Sequence, residues 1–213
     1  MSVAYSFAIC STVSGFFPVL AALYNYRNLD KVLKIAAVYF VISVAADVLQ
    51  EIMKRNGSIN NMPVIHAYIL ISILFFGAMY YNAFFSPLVK KTIIILTCIS
   101  FLVSVINIFS YEGLQEYPSV SNTVLSIMLI CFSLAYFYQL LTRQEFVHIE
   151  KQGLFWINAG ILFYFSITIF LFMLYKQMLI EHQEGFYMIN YITNIIANIL
   201  YTTGLLCKPQ KAT

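Results

Sequence analysis

The chain has 213 residues, of which 61% are hydrophobic and only 10% are charged, and its net charge is +3. A soluble domain normally carries about 25% charged residues, because water has to wet its surface. The composition therefore predicts a polytopic membrane protein with a single membrane domain over residues 1–213. It argues against nucleic-acid binding, because the few basic residues are spread among short loops.

Seven apolar stretches that are long enough to cross a bilayer follow one another along the chain. A spanning helix needs about 20 residues at a rise of 1.5 Å per residue. Stretches of that length lie near residues 4–25, 33–53, 62–85, 91–111, 119–141, 153–175 and 186–207. No basic region precedes the first stretch, so we interpret it as a retained helix and not as a cleaved leader. The short separators make neighbouring helices antiparallel, which predicts an all-α bundle of seven transmembrane helices.

The distribution of lysine and arginine predicts the orientation of this bundle. With the N-terminus outside, the inner segments hold Arg27, Lys31, Lys34, Lys90, Lys91, Arg143, Lys151, Lys208 and Lys211. The outer segments then hold only Lys54, Arg55 and Lys176. Because basic residues accumulate in cytoplasmic loops, this bias favours an N-out, C-in topology.

Tyrosines recur at the predicted inner ends of the odd-numbered helices. They are Tyr24, Tyr26, Tyr80, Tyr81, Tyr136, Tyr138 and Tyr201. An aromatic belt at the membrane interface accounts for this pattern. The alternative is an internal duplication of three helices around a central one, as in small transporters.

The second helix carries a polar stripe, Tyr39, Ser43, Asp47 and Glu51, at a spacing of four residues that places all four on one face. Asp47 is the acid deepest in any apolar stretch, and an acid at that depth indicates a functional site. Glu51 lies near the predicted outer rim, where it either joins this site or is an interfacial residue beside Lys54 and Arg55.

Three further predicted helices carry polar residues near the same outer side of the membrane. The seventh helix has the stripe Asn190, Asn194, Asn198 and Thr202, which either packs helices together or lines a polar cavity. His66 opens the third helix, either as a wet interfacial residue or as a partner of Asp47 or Glu51. The fourth helix ends with the polar face Thr97, Ser100, Ser104 and Asn107.

These observations predict a polar pocket that opens to the outer side and binds a small molecule or lipid. Its predicted lining consists of Asp47, Glu51, His66, Asn107, Asn190 and Asn194. The favoured function is that of a receptor-like or sensory membrane protein in which Asp47 acts as a buried polar switch, without a cofactor or metal. Its partners would be the lipid bilayer, the ligand, and a signalling partner in the membrane or at Lys90, Lys91 and residues 143–151.

Three alternatives remain open at this stage. An intramembrane lipid hydrolase would use Asp47, Glu51 and His66, with His182 available as a further ligand for zinc. A proton-coupled transporter would use the two acids as a coupling pair, and a purely structural role would make the polar stripes interhelical contacts. The chain lacks the helix-seven lysine of a retinal-binding rhodopsin and the paired last-helix histidines of a ceramidase-like hydrolase. An enzymatic function is therefore not the favoured hypothesis.

An aromatic run marks the sixth stretch: Phe155-Trp156-Ile157-Asn158 through Tyr164-Phe165-Ser166, followed by Phe170-Leu171-Phe172. With the seventh stretch it resembles small, uncharacterised seven-helix integral membrane proteins of the Bacteroidota. Some members of that group are similar to sensory partners of two-component kinases. The resemblance covers mainly helices six and seven and includes no catalytic motif. It implies a multi-pass protein of the bacterial cytoplasmic (inner) membrane with a sensory role.

Overall fold

The computed structural model describes residues 3–57, 60–142, 149–174 and 184–207. Within these residues the regular structure is entirely helical, with no strand. The α-helices are α1 (Val3–Ser14), α2 (Phe16–Asn25), α3 (Lys31–Arg55), α4 (Met62–Ala83), α5 (Pro87–Ser110), α6 (Ser119–Leu141), α7 (Gly153–Met173) and α8 (Glu184–Leu206). Short 3₁₀ turns precede α3 and α7 at Tyr26–Asn28 and Ile149–Lys151.

Six of the helical stretches are long and apolar enough to cross a membrane. They are Tyr5–Asn28, Lys31–Met53, Met62–Ala83, Pro87–Ser110, Ser119–Leu141 and Gly153–Met173. The seventh stretch, α8, has 23 residues but is not among them. Asn190, Asn194 and Asn198 lower its hydropathy, because carboxamides are strongly hydrophilic. The all-helical, membrane-type fold is thus confirmed, with six clear candidate spans.

The first span is divided into two helices, where the sequence had suggested one continuous helix over residues 4–25. α1 ends at Ser14 and α2 begins at Phe16, with Gly15 between them. Pro18 follows in the first turn of α2 and has no N–H to donate to the carbonyl of Ser14. The missing bond explains why the helix is interrupted at this point.

Some helix ends differ from the predicted ones because a single residue, such as a proline or a capping aspartate, sets the end of the helix. α5 begins at Pro87, four residues before the predicted start, because proline fits the first helical position, whose N–H has no intrahelical partner. α3 begins at Lys31 because the Oδ1 of Asp30 accepts a hydrogen bond of 2.8 Å from the backbone N–H of Leu33. α4 and α7 end at Ala83 and Met173, two residues earlier than expected.

The antiparallel helices place the connections at two ends of the bundle. One end, here called the basic face, carries Arg27, Lys31, Lys34, Lys90, Lys91 and Lys151 among the described residues. The other end, called the opposite face, carries residues 56–57, 60–61 and 111–118. The amide of Asn60 donates to the carbonyl of Gln115 there at 3.1 Å. Arg143, Lys176, Lys208 and Lys211, which entered the predicted orientation, lie outside the described residues.

Helices α7 and α8 make the closest helix contact described. A Cβ on Gly153 would overlap the carbonyl oxygen of Gly204, and one on Gly204 would approach the carbonyl oxygen of Gly153. About two turns further along α7, a Cβ on Gly160 would collide with the ring of Tyr201. These three glycines let the two backbones touch near the basic face, as small residues do at packed membrane interfaces.

The tyrosines attributed to an aromatic belt separate into two groups. Tyr24 and Tyr138 are 88% and 71% exposed, as a belt requires. Tyr80, Tyr136 and Tyr201 are buried in the core, so the belt interpretation is wrong for these three. Neighbouring residues such as Tyr80 and Tyr81 point about 100° apart on a helix, and only one of such a pair can face the lipid.

Candidate functional site

A group of hydroxyl side chains lies near Asp47 between α3, α4 and α7. We call Tyr39, Ser43, Asp47, Tyr68 and Tyr164 the tyrosine–aspartate cluster. The hydroxyl of Tyr39 lies 2.6 Å from that of Tyr68, and the hydroxyl of Ser43 lies 3.0 Å from it. Tyr39 also reaches Ser72 at 3.2 Å. The α3 stripe therefore faces α4, and Tyr68 connects its first two members.

Asp47 continues the same stripe one turn beyond Ser43. Tyr68 and Tyr164 both lie close enough to its carboxylate to interact with it electrostatically. Its side chain is nevertheless exposed, and it has no hydrogen bond or ion pair with any described residue. Asp47 stands eight residues, about 12 Å, before the end of α3 at Arg55, so it lies well inside the helical span. Burying such a charge in hydrocarbon is costly, so the carboxylate needs water or a ligand.

Asn190 lies next to this cluster on α8. The hydroxyl of Tyr164 donates to the Oδ1 of Asn190 at 3.4 Å, a long and weak hydrogen bond. Tyr164 is therefore near Asp47 and bonded to Asn190, so polar side chains continue from the cluster to α8. Asp47 and Asn190 are therefore two of the six predicted pocket residues that the structure relates to one another, through Tyr164.

Glu51 belongs to the surface of the opposite face. Its Oε1 accepts a hydrogen bond of 2.8 Å from the Nε of Arg55, one turn further along α3, and both side chains are largely exposed. This is the interfacial arrangement that the sequence left open as an alternative for Glu51. An exposed pair of this type contributes little to stability, typically 0.3–0.5 kcal/mol on a helix.

His66 points away from Asp47. Tyr68 and Ser72 form the side of α4 that meets α3, and His66 precedes Tyr68 by two residues, a rotation of about 200°. Its ring is buried, and its Nε2 lies 3.1 Å from the carbonyl oxygen of Glu116 in the connection before α6. The histidine is thus buried beneath the connection that precedes α6.

Asn107 belongs to this second group, here called the loop-capped cluster: His66, Asn107, Glu112 and Ser121. The amide of Asn107 donates to the Oε2 of Glu112 at 2.6 Å and to the Oγ of Ser121 at 3.1 Å. The Oε1 of Glu112 accepts from the backbone N–H of Val120 at 3.2 Å, in the first turn of α6. A buried carboxylate at this position caps α6 and is stabilised by the helix dipole.

Several buried polar atoms near the loop-capped cluster have no hydrogen-bond partner among the described residues. They are the Nδ1 of His66, the Oδ1 of Asn107, and the hydroxyls of Ser104 and Ser119. Because the Nε2 of His66 meets a carbonyl oxygen, it carries the proton in the neutral ring, and Nδ1 is left as an acceptor. The two acceptors, Nδ1 and Oδ1, therefore call for hydrogen-bond donors, and the two hydroxyls can donate or accept; buried water serves both needs in many proteins.

Asn194 contributes to helix packing on the other side of α8. Its amide donates to the Oγ of Ser11 at 2.9 Å, and the amide of Asn198 donates to the Oγ of Ser14 at 2.9 Å. The two bonds hold α8 against α1 at two places about one helical turn apart, four residues on α8 and three on α1. This arrangement is the interhelical packing that the sequence left open for the asparagine stripe.

A third polar group, which the sequence analysis did not single out, lies fully inside the bundle. The hydroxyl of Tyr80 donates to the Oδ1 of Asn158 at 2.6 Å and lies 2.8 Å from the Oγ of Ser133. The amide of Asn158 donates to the carbonyl of Ser133 at 3.2 Å. We call Tyr80, Ser133 and Asn158 the closed cluster, because all three side chains are completely buried and joined to one another.

The described ranges of the chain offer no set of metal ligands. Among the residues that the structure describes, no three His, Cys, Asp or Glu side chains are grouped so as to hold an ion. Glu51 and His66, which would have to join Asp47 in a metal-dependent hydrolase, face an exposed arginine and the α6 connection respectively. His182, the further ligand considered from the sequence, lies outside the described residues.

A cavity of about 320 Å³ opens at the basic face between α3, α4, α6 and α7. Asn28, Asp30, Asn82, Gln139 and Lys151 are among its polar lining residues. Gln139 bridges two elements there, because its amide donates to the carbonyl of Ala83 and its Oε1 accepts from the N–H of Phe85, both at 3.3 Å. This cavity is at the opposite end of the bundle from Glu51 and the loop-capped cluster.

Comparisons of the chain with protein-family models, with curated proteins and with solved structures found no match.

Proposed function

We propose that the protein is a receptor-like or sensory membrane protein that binds a small molecule or lipid at the tyrosine–aspartate cluster. The chemistry of this cluster favours a ligand that carries an ammonium group or another strong hydrogen-bond donor. Such a group would pair with the carboxylate of Asp47, while the hydroxyls of Tyr68 and Tyr164 would surround it. Aromatic rings also stabilise bound ammonium groups through their π faces.

The observation that carries this proposal is the unpaired carboxylate of Asp47. The other described acids have compensating contacts or lie at the ends of the bundle: Glu51 pairs with Arg55, and Glu112 caps α6. Asp47 alone stands well within a span with no hydrogen bond or ion pair among the described residues. A charge in that position is normally retained for function.

The proposed setting is a bundle of seven transmembrane helices with α8 as the seventh. The contacts of α8 support this count, because it packs on α7 through glycines and on α1 through asparagine–serine bonds. The positive-inside rule supports an N-out, C-in orientation, which makes the basic face cytoplasmic. The resemblance to seven-helix membrane proteins of the Bacteroidota supports the inner membrane as the location.

The proposed output is a change in helix packing that a membrane or cytoplasmic partner detects. Asp47 and Asn190 are separated by Tyr164, so a ligand at Asp47 would alter the position of α7 relative to α8. The cavity at the basic face is the part of the bundle where such a shift would be presented to a partner. The lipid hydrolase has less support, since His66 points away from Asp47.

The proposal is tested by native mass spectrometry of the protein released directly from membrane vesicles. The three forms to compare are the wild type, Asp47→Asn and the matched control Glu51→Gln. Both substitutions remove one negative charge from α3 at positions one helical turn apart. We expect the wild type and Glu51→Gln to retain a non-protein mass with a cationic or amine group, and Asp47→Asn to lose it.

Circular dichroism of the three forms provides the folding control. Equal adducts on all three forms, or bare masses for all three with unchanged helicity, would contradict binding at Asp47. Retention of a divalent metal that both Asp47→Asn and His66→Gln abolish would instead favour the hydrolase.

A further inference from the structure

A groove on the lipid-facing side of α3 and α4 combines basic and apolar side chains. It has a volume of about 440 Å³ and is lined by Lys31, Lys34, Ile35, Val38 and Phe75. We call it the α3–α4 groove. It lies at the basic face, on the outside of the bundle and far from Asp47, so the proposed function makes no use of it.

The two lysines occupy the membrane-interface end of the groove. Lys31 and Lys34 are three residues apart on α3, so their side chains lie on one side of the helix. Neither forms an ion pair with any described residue. The ammonium of Lys34 lies 5.3 Å from the ring centre of Tyr26, which holds the charge at the helix end.

The remainder of the groove extends toward the hydrocarbon. Val38 is seven residues, about 10 Å, beyond Lys31 along the helix axis. Ile35 and Val38 continue the lysine side of α3, and Phe75 of α4 forms the other wall. The groove thus has a cationic end at the depth of lipid headgroups and an apolar wall at the depth of acyl chains.

We infer that the α3–α4 groove is a binding site for an anionic phospholipid, with the headgroup phosphate on Lys31 and Lys34 and one acyl chain along Ile35, Val38 and Phe75. A zwitterionic lipid would place its own cation beside the two lysines and would bind less well. A free phosphate would meet the lysines but leave the apolar wall uncovered. The combination of two cations and an apolar groove therefore selects a phospholipid with a net negative charge.

The test is native mass spectrometry of the full chain in detergent, titrated in parallel with phosphatidylglycerol, phosphatidylcholine and inorganic phosphate. The lysine variant is Lys31→Gln/Lys34→Gln, and the matched control is Lys90→Gln/Lys91→Gln. The control removes the same charge from the basic face at residues that do not line the groove. We expect the wild type and the control to prefer phosphatidylglycerol over phosphatidylcholine, and the lysine variant to lose roughly tenfold or more in affinity for phosphatidylglycerol.

A third variant, Val38→Trp, separates lipid from phosphate. Val38 is 45% exposed on the lipid-facing side, so a larger side chain there fills the groove without entering the core. It should reduce binding of phosphatidylglycerol while both lysines remain. Equal losses in the lysine variant and in the control, no loss in the lysine variant, or displacement of phosphatidylglycerol by millimolar phosphate would each overturn the proposal.

Discussion

The tyrosine–aspartate cluster and the closed cluster contain similar side chains, but they differ in whether their polar atoms are paired. In the closed cluster the hydroxyl of Tyr80, the amide of Asn158 and the hydroxyl of Ser133 bond to one another away from lipid and water. In the tyrosine–aspartate cluster Tyr39, Ser43 and Tyr68 are bonded, but the acidic member, Asp47, has no hydrogen bond or ion pair with any residue that the structure describes. The first arrangement stabilises the bundle, and the second leaves a carboxyl group available for the proposed ligand.

An asparagine-to-leucine substitution, made once in the closed cluster and once beside the tyrosine–aspartate cluster, tests this comparison most strongly. Asn158→Leu removes the partner of Tyr80 at 2.6 Å, so a buried hydroxyl loses a bond. We expect a loss of about 1–3 kcal/mol in the free energy of unfolding, or roughly 2–10 °C in Tm. Thermal unfolding in detergent, followed by circular dichroism, measures this loss.

Asn190→Leu is the matched variant beside the tyrosine–aspartate cluster. It removes only a bond of 3.4 Å between partly buried groups, so we expect its Tm to stay within about 2 °C of the wild type. A larger loss for Asn190→Leu than for Asn158→Leu would mean that the two clusters have been assigned the wrong roles.

The loop-capped cluster is intermediate between the other two: Glu112 is hydrogen-bonded, while several polar atoms near it have no partner in the described part of the chain. Glu112→Ala removes the acceptor of Asn107 and of the N–H of Val120. We expect a loss of about 1–2 kcal/mol, as for other helix N-caps, with faster hydrogen exchange in residues 111–122. Gln115→Ala, an exposed position in the same connection, is the control and should leave both measurements unchanged.

Tyr68→Phe examines the bonded half of the tyrosine–aspartate cluster. The change deletes the bonds to Tyr39 and Ser43 but keeps the ring. Interhelical hydrogen bonds in membranes contribute about 0.6 kcal/mol on average, so we expect a loss of roughly 0.6–1.7 kcal/mol. Ligand retention at Asp47 should decrease in the same variant, and an unchanged mass spectrum would separate Tyr68 from the binding group.

Glu51→Gln should have the smallest effect. The pair that Glu51 forms with Arg55 is exposed, and such pairs contribute about 0.3–0.5 kcal/mol, which salt reduces further. We expect a change in Tm of less than about 2 °C that disappears in high salt. A larger change that persists in salt would indicate that Glu51 has a partner in the binding site.

The sequence predicted the helical stretches well because lipid imposes a uniform requirement for about 20 apolar residues. Its errors are local. The interruption at Gly15 was signalled by Pro18, and the early start of α5 was signalled by Pro87, but the length of the apolar run was given more weight. Hydropathy detects the presence of a span, whereas caps and kinks depend on single residues.

The composition of the site was harder to predict, because hydropathy does not report which way a helix face points. The stripe of Tyr39, Ser43 and Asp47 was recognised from its spacing, and the structure places it against α4. The position of His66 on the far side of α4 follows only once Tyr68 is known to face α3. The buried tyrosines were missed because a tyrosine at a helix end looks the same in sequence whether it contacts lipid or core.

The glycine contact between α7 and α8 has a mechanical consequence. Since the backbones touch at Gly153 and Gly204, a relative tilt of the two helices about this contact would displace their other ends most. Asn190 is fourteen residues from Gly204, a lever arm of about 21 Å. A tilt of about 5° around the pivot therefore moves Asn190 by about 2 Å, enough to break its long bond to Tyr164, while the pivot itself hardly moves.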